Sequence, residues 1–154
     1  MAKPYHASTQ NAFEFGRRCV QGQPAWAIGL PGGIVAPGDL DTQSEDCLTL
    51  NVHVPIRPRY KKLPVVDNFH GGGYTLGSAR DTDLSTFVSF ANGNILAVNV
   101  QYRLGVYGFL GSEEICADGS PNAGLLDQRA ALEWVRRNIA AFGGDPNNVT
   151  AMVS

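Results

Sequence analysis

Polar and apolar positions alternate without a break from Leu48 to Val54, apolar at even numbers and polar at odd ones. That period of two predicts a strand with one buried face, and Pro55 ends it. The apolar run from Leu63 to Phe69 predicts a second strand, interrupted by the polar pair Asp67 and Asn68. A glycine-rich turn, His70-Gly71-Gly72-Gly73-Tyr74, follows it. Asp83 can cap a helix in which Leu84, Phe87, Val88 and Ala91 recur at helical spacing. Ile95 to Val100 is nearly all apolar, as a parallel strand covered on both faces requires. Leu125, Leu132, Val135, Ile139 and Phe142 mark the buried stripe of a longer helix, from about residue 123 to 142. Arg136 and Arg137 suit its C-terminus and Gly143-Gly144 can stop it. Val149 to Val153 then reads as a final strand. Strands alternating with helices in this order imply an α/β sheet with right-handed crossovers. Residues 1–47 carry little periodicity and many glycines and prolines, so they read mostly as loop.

Composition narrows the function classes. The 154 residues suffice for one domain, 44% are apolar and 17% charged, and the net charge is -2. Such a balance offers no electrostatic footprint for nucleic acid. No apolar run approaches the ~20 residues of a membrane span. Met1 to Gln10 is polar and shows no signal peptide.

Three glycines directly after a strand expose backbone N–H groups that can bind an anion or a developing oxyanion. A phosphate loop is excluded, because Tyr74-Thr75-Leu76-Gly77 follows where Gly-Lys-Ser/Thr is needed. The spacing of Gly71, Gly73 and Gly77 also fails the dinucleotide fingerprint.

Six further segments share the chain with this turn, in a fixed order. They are Ser44-Glu45-Asp46-Cys47-Leu48-Thr49-Leu50-Asn51, Asn99-Val100-Gln101-Tyr102-Arg103-Leu104-Gly105, Gly108-Phe109, Asn122-Ala123-Gly124-Leu125-Leu126-Asp127-Gln128, Leu132-Glu133-Trp134-Val135, and Phe142-Gly143-Gly144-Asp145-Pro146-Asn147-Asn148-Val149-Thr150. Together they resemble the type B carboxylesterase/cholinesterase family of α/β-hydrolases, over roughly residues 13 to 152. The resemblance implies the incomplete N-terminal half of an α/β-hydrolase fold, a central, mostly parallel sheet with flanking helices. Residues 1–154 then read as a single partial domain, truncated at both ends.

The same resemblance implies roles for individual residues. Gly72 and Gly73 would donate their N–H groups to an oxyanion, while His70 is expected to be structural rather than a catalytic base. Cys19 and Cys47 match a family disulfide, with Cys116 left as a buried thiol or as the partner of residues beyond this sequence. Such a bridge would contribute roughly 3–4 kcal/mol and points to a secreted, extracellular protein. Glu45 and Arg103 match a buried ion pair, with the acidic Asp127 nearby, and Trp26 could line a gorge over the active site. The family's nucleophile elbow, G-x-S-x-G, would follow the last strand. Ser154 does not fit it, because no glycine stands two residues before it. The implied activity is hydrolysis of small-molecule carboxylic esters through a serine acyl-enzyme, with no cofactor and no metal. The nucleophile, acid and base are absent from these residues, so the chain alone is expected to be inactive. The alternative is a non-catalytic, cholinesterase-like binding or adhesion protein. Asn148-Val149-Thr150 is a glycosylation sequon at a strand start, where access is expected to be poor.

Overall fold

The protein is described here by a computed structural model, which places residues 11–22 and 42–153. Trp26, Ser154 and the stretch Met1 to Gln10 lie outside the described residues. Four strands form one sheet: β1 (Leu50–His53), β2 (Leu63–Phe69), β3 (Leu96–Val100) and β4 (Gly144–Val153). Their spatial order is β1-β3-β2-β4. β2 runs parallel to both β3 and β4, and β1 joins β3 antiparallel. The helices are α1 (Leu84–Phe90), α2 (Gly105–Phe109), α3 (Glu113–Asp118) and α4 (Ala123–Asn138), and a 3-10 turn covers Ile139–Phe142. This is the expected α/β arrangement, a mixed sheet with helices on both faces.

Alternation along β2 and β3 sorts their side chains to two cores. Leu63, Val65 and Phe69 share one face with Leu96, Val98 and Val100, and they are covered by Val135 of α4 and Ile139 of the 3-10 turn that follows it. Ala97 faces the other way and meets Leu84 and Val88 of α1. Asp83 caps α1 as expected, accepting a hydrogen bond from the N–H of Ser85 at 2.8 Å. The helical stripe on α4 is only partly used. Val135 and Ile139 are fully buried, whereas Leu125, Leu132 and Phe142 stay partly exposed in the described structure.

Several boundaries differ from the sequence reading. β1 begins at Leu50 rather than Leu48, because Leu48 and Thr49 are exposed before the strand pairs with β3. The long helix tightens into its 3-10 turn before Gly143, which closes it with a left-handed φ of 87°. α2 and α3 span only 5 and 6 residues, too short to leave a periodic signal. β4 starts earlier, at Gly144, yet its continuous pairing with β2 runs only from Val149 to Val153. The pairs Leu63–Gly144 and Val65–Val149 bracket a register shift, so Asp145 to Asn148 bulges out of the ladder. Asn148 is therefore exposed, contrary to the poor access expected of its sequon.

The polar pair in β2 does not break the strand. Asn68 and Asp67 are both buried and stay in register with Asn99 and Val98. Asn68 donates its Nδ2 to the Oδ1 of Asn99 at 2.8 Å, and Asn99 donates to the carbonyl of Thr82 at 2.8 Å. This short relay crosses from the sheet to the loop before α1. Asp67 faces the other side, among Val65, Phe69 and Val98, and neither carboxylate oxygen has a hydrogen-bond partner. Burial without compensation pushes its carboxyl up to about 7.

A raised carboxyl makes stability fall as pH rises. Between about pH 4 and pH 7 the unfolded chain has already lost this proton while the folded chain keeps it, so the folded state binds more protons. The loss is about 1.4 kcal/mol per pH unit, reaching about 4 kcal/mol near neutrality. Asp67→Val should abolish most of that slope and raise stability above about pH 7. Urea denaturation at about pH 5 and pH 8 checks it. A variant with the wild-type difference between the two pH values would show that Asp67 is not the group responsible.

Candidate functional site

The glycine turn sits at the C-terminal end of β2, where the parallel strands present their carboxyl ends. Its geometry rests on left-handed backbone. Gly72, Gly73 and Tyr74 have φ of 116°, 58° and 59° in succession. A Cβ on Gly72 would lie 2.0 Å from the carbonyl oxygen of Leu76, so only glycine fits there.

Two carbonyls of the turn are tied back. The Gly72 carbonyl accepts from the N–H of Thr75 at 3.1 Å, the N–H of Leu76 at 3.2 Å and the Thr75 hydroxyl at 3.1 Å. The Gly71 carbonyl lies 2.9 Å from Nδ1 of His70. A carbonyl only accepts, so that nitrogen carries the proton and the ring is the Nδ1–H tautomer. In a trans peptide the following N–H points opposite to the carbonyl. The N–H groups of Gly72 and Gly73 are therefore turned away from these anchors. Among the described residues neither is hydrogen-bonded to the protein.

His70 is a buried part of this scaffold. Its ring stacks on Tyr102 with centroids 4.3 Å apart and planes 13° from parallel, and the Tyr102 hydroxyl donates to the His70 carbonyl. Desolvation lowers the imidazole's basicity, outweighing the hydrogen bond to Gly71 that would raise it. Its Nε2 is buried without a hydrogen-bond partner, which suits a neutral Nδ1–H ring. Burial also pushes the Tyr102 phenol up to about 12, so it remains a donor at any ordinary pH.

A cleft of about 150 Å³ opens beside the turn, lined by His70, Gly71, Gly73, Tyr74, Tyr102, Gln128 and, from the end of β4, Val153. The last described residue of β4 and the glycine turn thus share one cavity. Donors held about 3 Å from a developing negative charge are what an acyl-transfer site needs. Among the described residues no group of three or more His, Cys, Asp or Glu could hold a metal ion.

The disulfide between Cys19 and Cys47 is formed, with Cα atoms 5.0 Å apart and both residues buried. Cys116 is a free, exposed thiol on α3, not the buried one entertained from sequence. The expected ion pair changes partner. Arg103 binds Asp127, not Glu45: its Nε and Nη2 donate to the two carboxylate oxygens, each at 2.7 Å, and its backbone N–H adds a third bond at 3.1 Å. Glu45 is exposed and forms no ion pair with Arg103. The reason is reach and register: Asp127, in the first half of α4, lies against the loop after β3, and a planar guanidinium fits one carboxylate fork. The bond to Asp127, ahead of all else, raises the basicity of Arg103.

Sequence reasoning also missed Gln21. Its side chain accepts from the N–H of Gly77 at 2.7 Å and donates to the Gly77 carbonyl at 2.9 Å. A glutamine in a loop carries no local signal for a contact 56 residues away.

A model of the carboxylesterase family matches residues 1–153. The para-nitrobenzyl esterase of Bacillus subtilis (strain 168) is 48% identical over 112 residues, 73% of this chain and 23% of that protein. Secreted lipase 1 of Botryotinia fuckeliana is 53% identical over 131 residues, 82% of this chain and 23% of the lipase. The crystal structure of Aspergillus niger EstA superposes with a TM-score of 0.79 at 36% identity, covering 97% of this chain and 27% of that one. The chain spans roughly a quarter of the length of these relatives.

The exchanged ion pair sets a stability contrast. Asp127→Ala removes three charge-assisted bonds but leaves a half-exposed guanidinium that water can solvate, so a loss of about 2 kcal/mol is expected. Glu45→Gln should stay within about 0.5 kcal/mol of wild type. Equal losses from the two substitutions, read by thermal unfolding, would restore Glu45 as a partner.

Proposed function

The chain belongs to the carboxylesterase family, and from that membership we propose that it supplies the oxyanion hole of a serine-type carboxylic ester hydrolase. One observation carries the reading. The carbonyls of Gly71 and Gly72 are anchored to the protein, which leaves the N–H groups of Gly72 and Gly73 unspent, and Gly73 lines the cleft that the end of β4 also lines. When a serine attacks an ester carbonyl, negative charge gathers on the carbonyl oxygen, and two preset N–H donors stabilise it without reorganising. Collapse of that intermediate releases the alcohol and leaves an acyl-enzyme, which water then hydrolyses. In the family the serine follows the strand that β4 corresponds to, so hole and nucleophile would face each other across this cleft.

Residues 1–154 hold only part of that machinery. No G-x-S-x-G occurs in them, and the orienting acid and base are expected from the larger share of the relatives' length that this chain does not cover. The substrate class is small-molecule carboxylic esters, a reading supported by relatives named as a para-nitrobenzyl esterase and a lipase. The buried disulfide and the similarity to a secreted lipase support an extracellular setting. Among the described residues no helix is long and apolar enough to cross a membrane.

Hydrolysis of p-nitrophenyl acetate tests the proposal. Residues 1–154 alone should give no turnover above buffer. Joined to the region beyond β4 of the Bacillus subtilis para-nitrobenzyl esterase, they should turn over. Replacing the Gly73 peptide N–H by an ester oxygen in that chimera removes one donor without demanding a new φ and should cost about 10²–10³ in kcat. Turnover by residues 1–154 that vanishes with Gly72→Val, or an active chimera indifferent to the ester at Gly73, overturns the assignment.

A further inference from the structure

We propose that Gln21 is a positioning residue for the oxyanion turn, a role that rests on reading Gly72 and Gly73 as the oxyanion donors. The turn opens at His70 and closes at Gly77. Its closing residue is gripped through both of its backbone polar groups by one side chain: Gln21 Oε1 accepts from the Gly77 N–H at 2.7 Å and Gln21 Nε2 donates to the Gly77 carbonyl at 2.9 Å. A side-chain amide matched to a backbone residue in this way mimics a strand partner and leaves that residue little freedom to rotate.

Gly77 in turn has no slack against the start of the turn. A Cβ there would fall 2.4 Å from the Gly71 carbonyl oxygen and 2.5 Å from His70 Nδ1. Those two atoms form the hydrogen bond that sets the direction of the Gly72 N–H. A shift of Gly77 is therefore transmitted by contact to the anchor of the first donor. A second grip lies alongside, where the Gly22 N–H donates to the Thr75 carbonyl. Thr75 is one of the residues that hold the Gly72 carbonyl and so direct the Gly73 N–H.

Gln21 is itself held in place. Its Nε2 also donates to the Cys19 carbonyl at 2.8 Å, and its backbone N–H donates to Oε1 of Gln43 at 2.9 Å. Cys19 is bonded to Cys47, so the brace starts from a covalent cross-link rather than a free loop. The route from the disulfide to the two donors consists of hydrogen bonds and one close backbone contact. It has an alternative explanation: Gln21 could simply stabilise the whole fold. The two differ in where the effect of losing it is felt.

Amide hydrogen exchange and ¹⁵N NMR on the 154-residue chain separate them. Gln21→Ala should speed exchange at the hydrogen-bonded turn amides of Thr75, Leu76 and Gly77 by about tenfold or more, with Val98 in β3 unchanged. Gln21→Glu keeps an acceptor for the Gly77 N–H but loses the donor to its carbonyl. It should restore part of the protection and give the Gly77 amide a chemical shift that titrates with the new carboxylate. In Gln21→Ala, wild-type exchange at Thr75 and Leu76, whose N–H groups hold the Gly72 carbonyl, overturns the proposal, as does acceleration at Val98 equal to that in the turn. Phenylphosphonate added to the wild type should shift the Gly72 and Gly73 amides. If it shifts neither, the oxyanion assignment fails, while the exchange data still decide whether Gln21 sets the turn.

Discussion

A trans peptide carries its carbonyl and its N–H on opposite sides, and the turn after β2 uses that fact twice. Fixing the Gly71 and Gly72 carbonyls to His70, Thr75 and Leu76 fixes the two N–H groups that follow them. No side chain needs to reach the cleft to make it a donor site. The requirement falls on the backbone instead, which must hold three successive left-handed residues. An L side chain is excluded from the first of them by the Leu76 carbonyl oxygen. The position of the turn follows from β2, which is one of the two inner strands and pairs on both edges, with β3 and with β4.

That central strand carries two polar residues into the core, and their different fates follow from which face each one meets. Asn68 points toward α1 and finds Asn99 at the same level on β3, so amide pairs with amide and the relay ends on a backbone carbonyl. Asp67 lies on the face that α4 covers, and neither of its carboxylate oxygens finds a hydrogen-bond partner. A neutral carboxylic acid still loses its hydrogen bonds to water there, and a charged one loses much more. The surrounding core thus works against ionisation of Asp67 and holds its proton, three residues from the scaffold histidine.

Much of this was legible in the sequence because it is local. Period-two alternation located β1, the apolar runs located β2 and β3, and Asp83 marked the start of α1. The glycine triplet identified the turn, and motif order identified the family. What escaped was non-local or too short. The family pattern offered Glu45 for Arg103 with Asp127 only nearby, and packing of α4 against the loop after β3 decided for Asp127. Gln21 acts through a turn that begins 49 residues later along the chain, at His70, and no periodicity reports such a contact. α2 and α3 are each less than two turns long, below what a hydrophobic stripe can show.

The Arg103–Asp127 pair belongs to the same construction as the glycine turn. Asp127 projects from α4 and holds Arg103 by side chain and backbone together. On one side of Arg103, Tyr102 stacks on His70 and donates to its carbonyl. Two residues further on, the Gly105 N–H donates to the Tyr74 carbonyl at 2.7 Å. The loop after β3 therefore grips the turn at both His70 and Tyr74, and α4 fixes the loop. Cys19 to Gly22 grips it from the other direction, at Gly77 and Thr75. A strained left-handed turn persists only where its surroundings over-determine it. Here two separate pieces of chain, one anchored by a disulfide and one by a bidentate ion pair, meet that requirement from opposite sides.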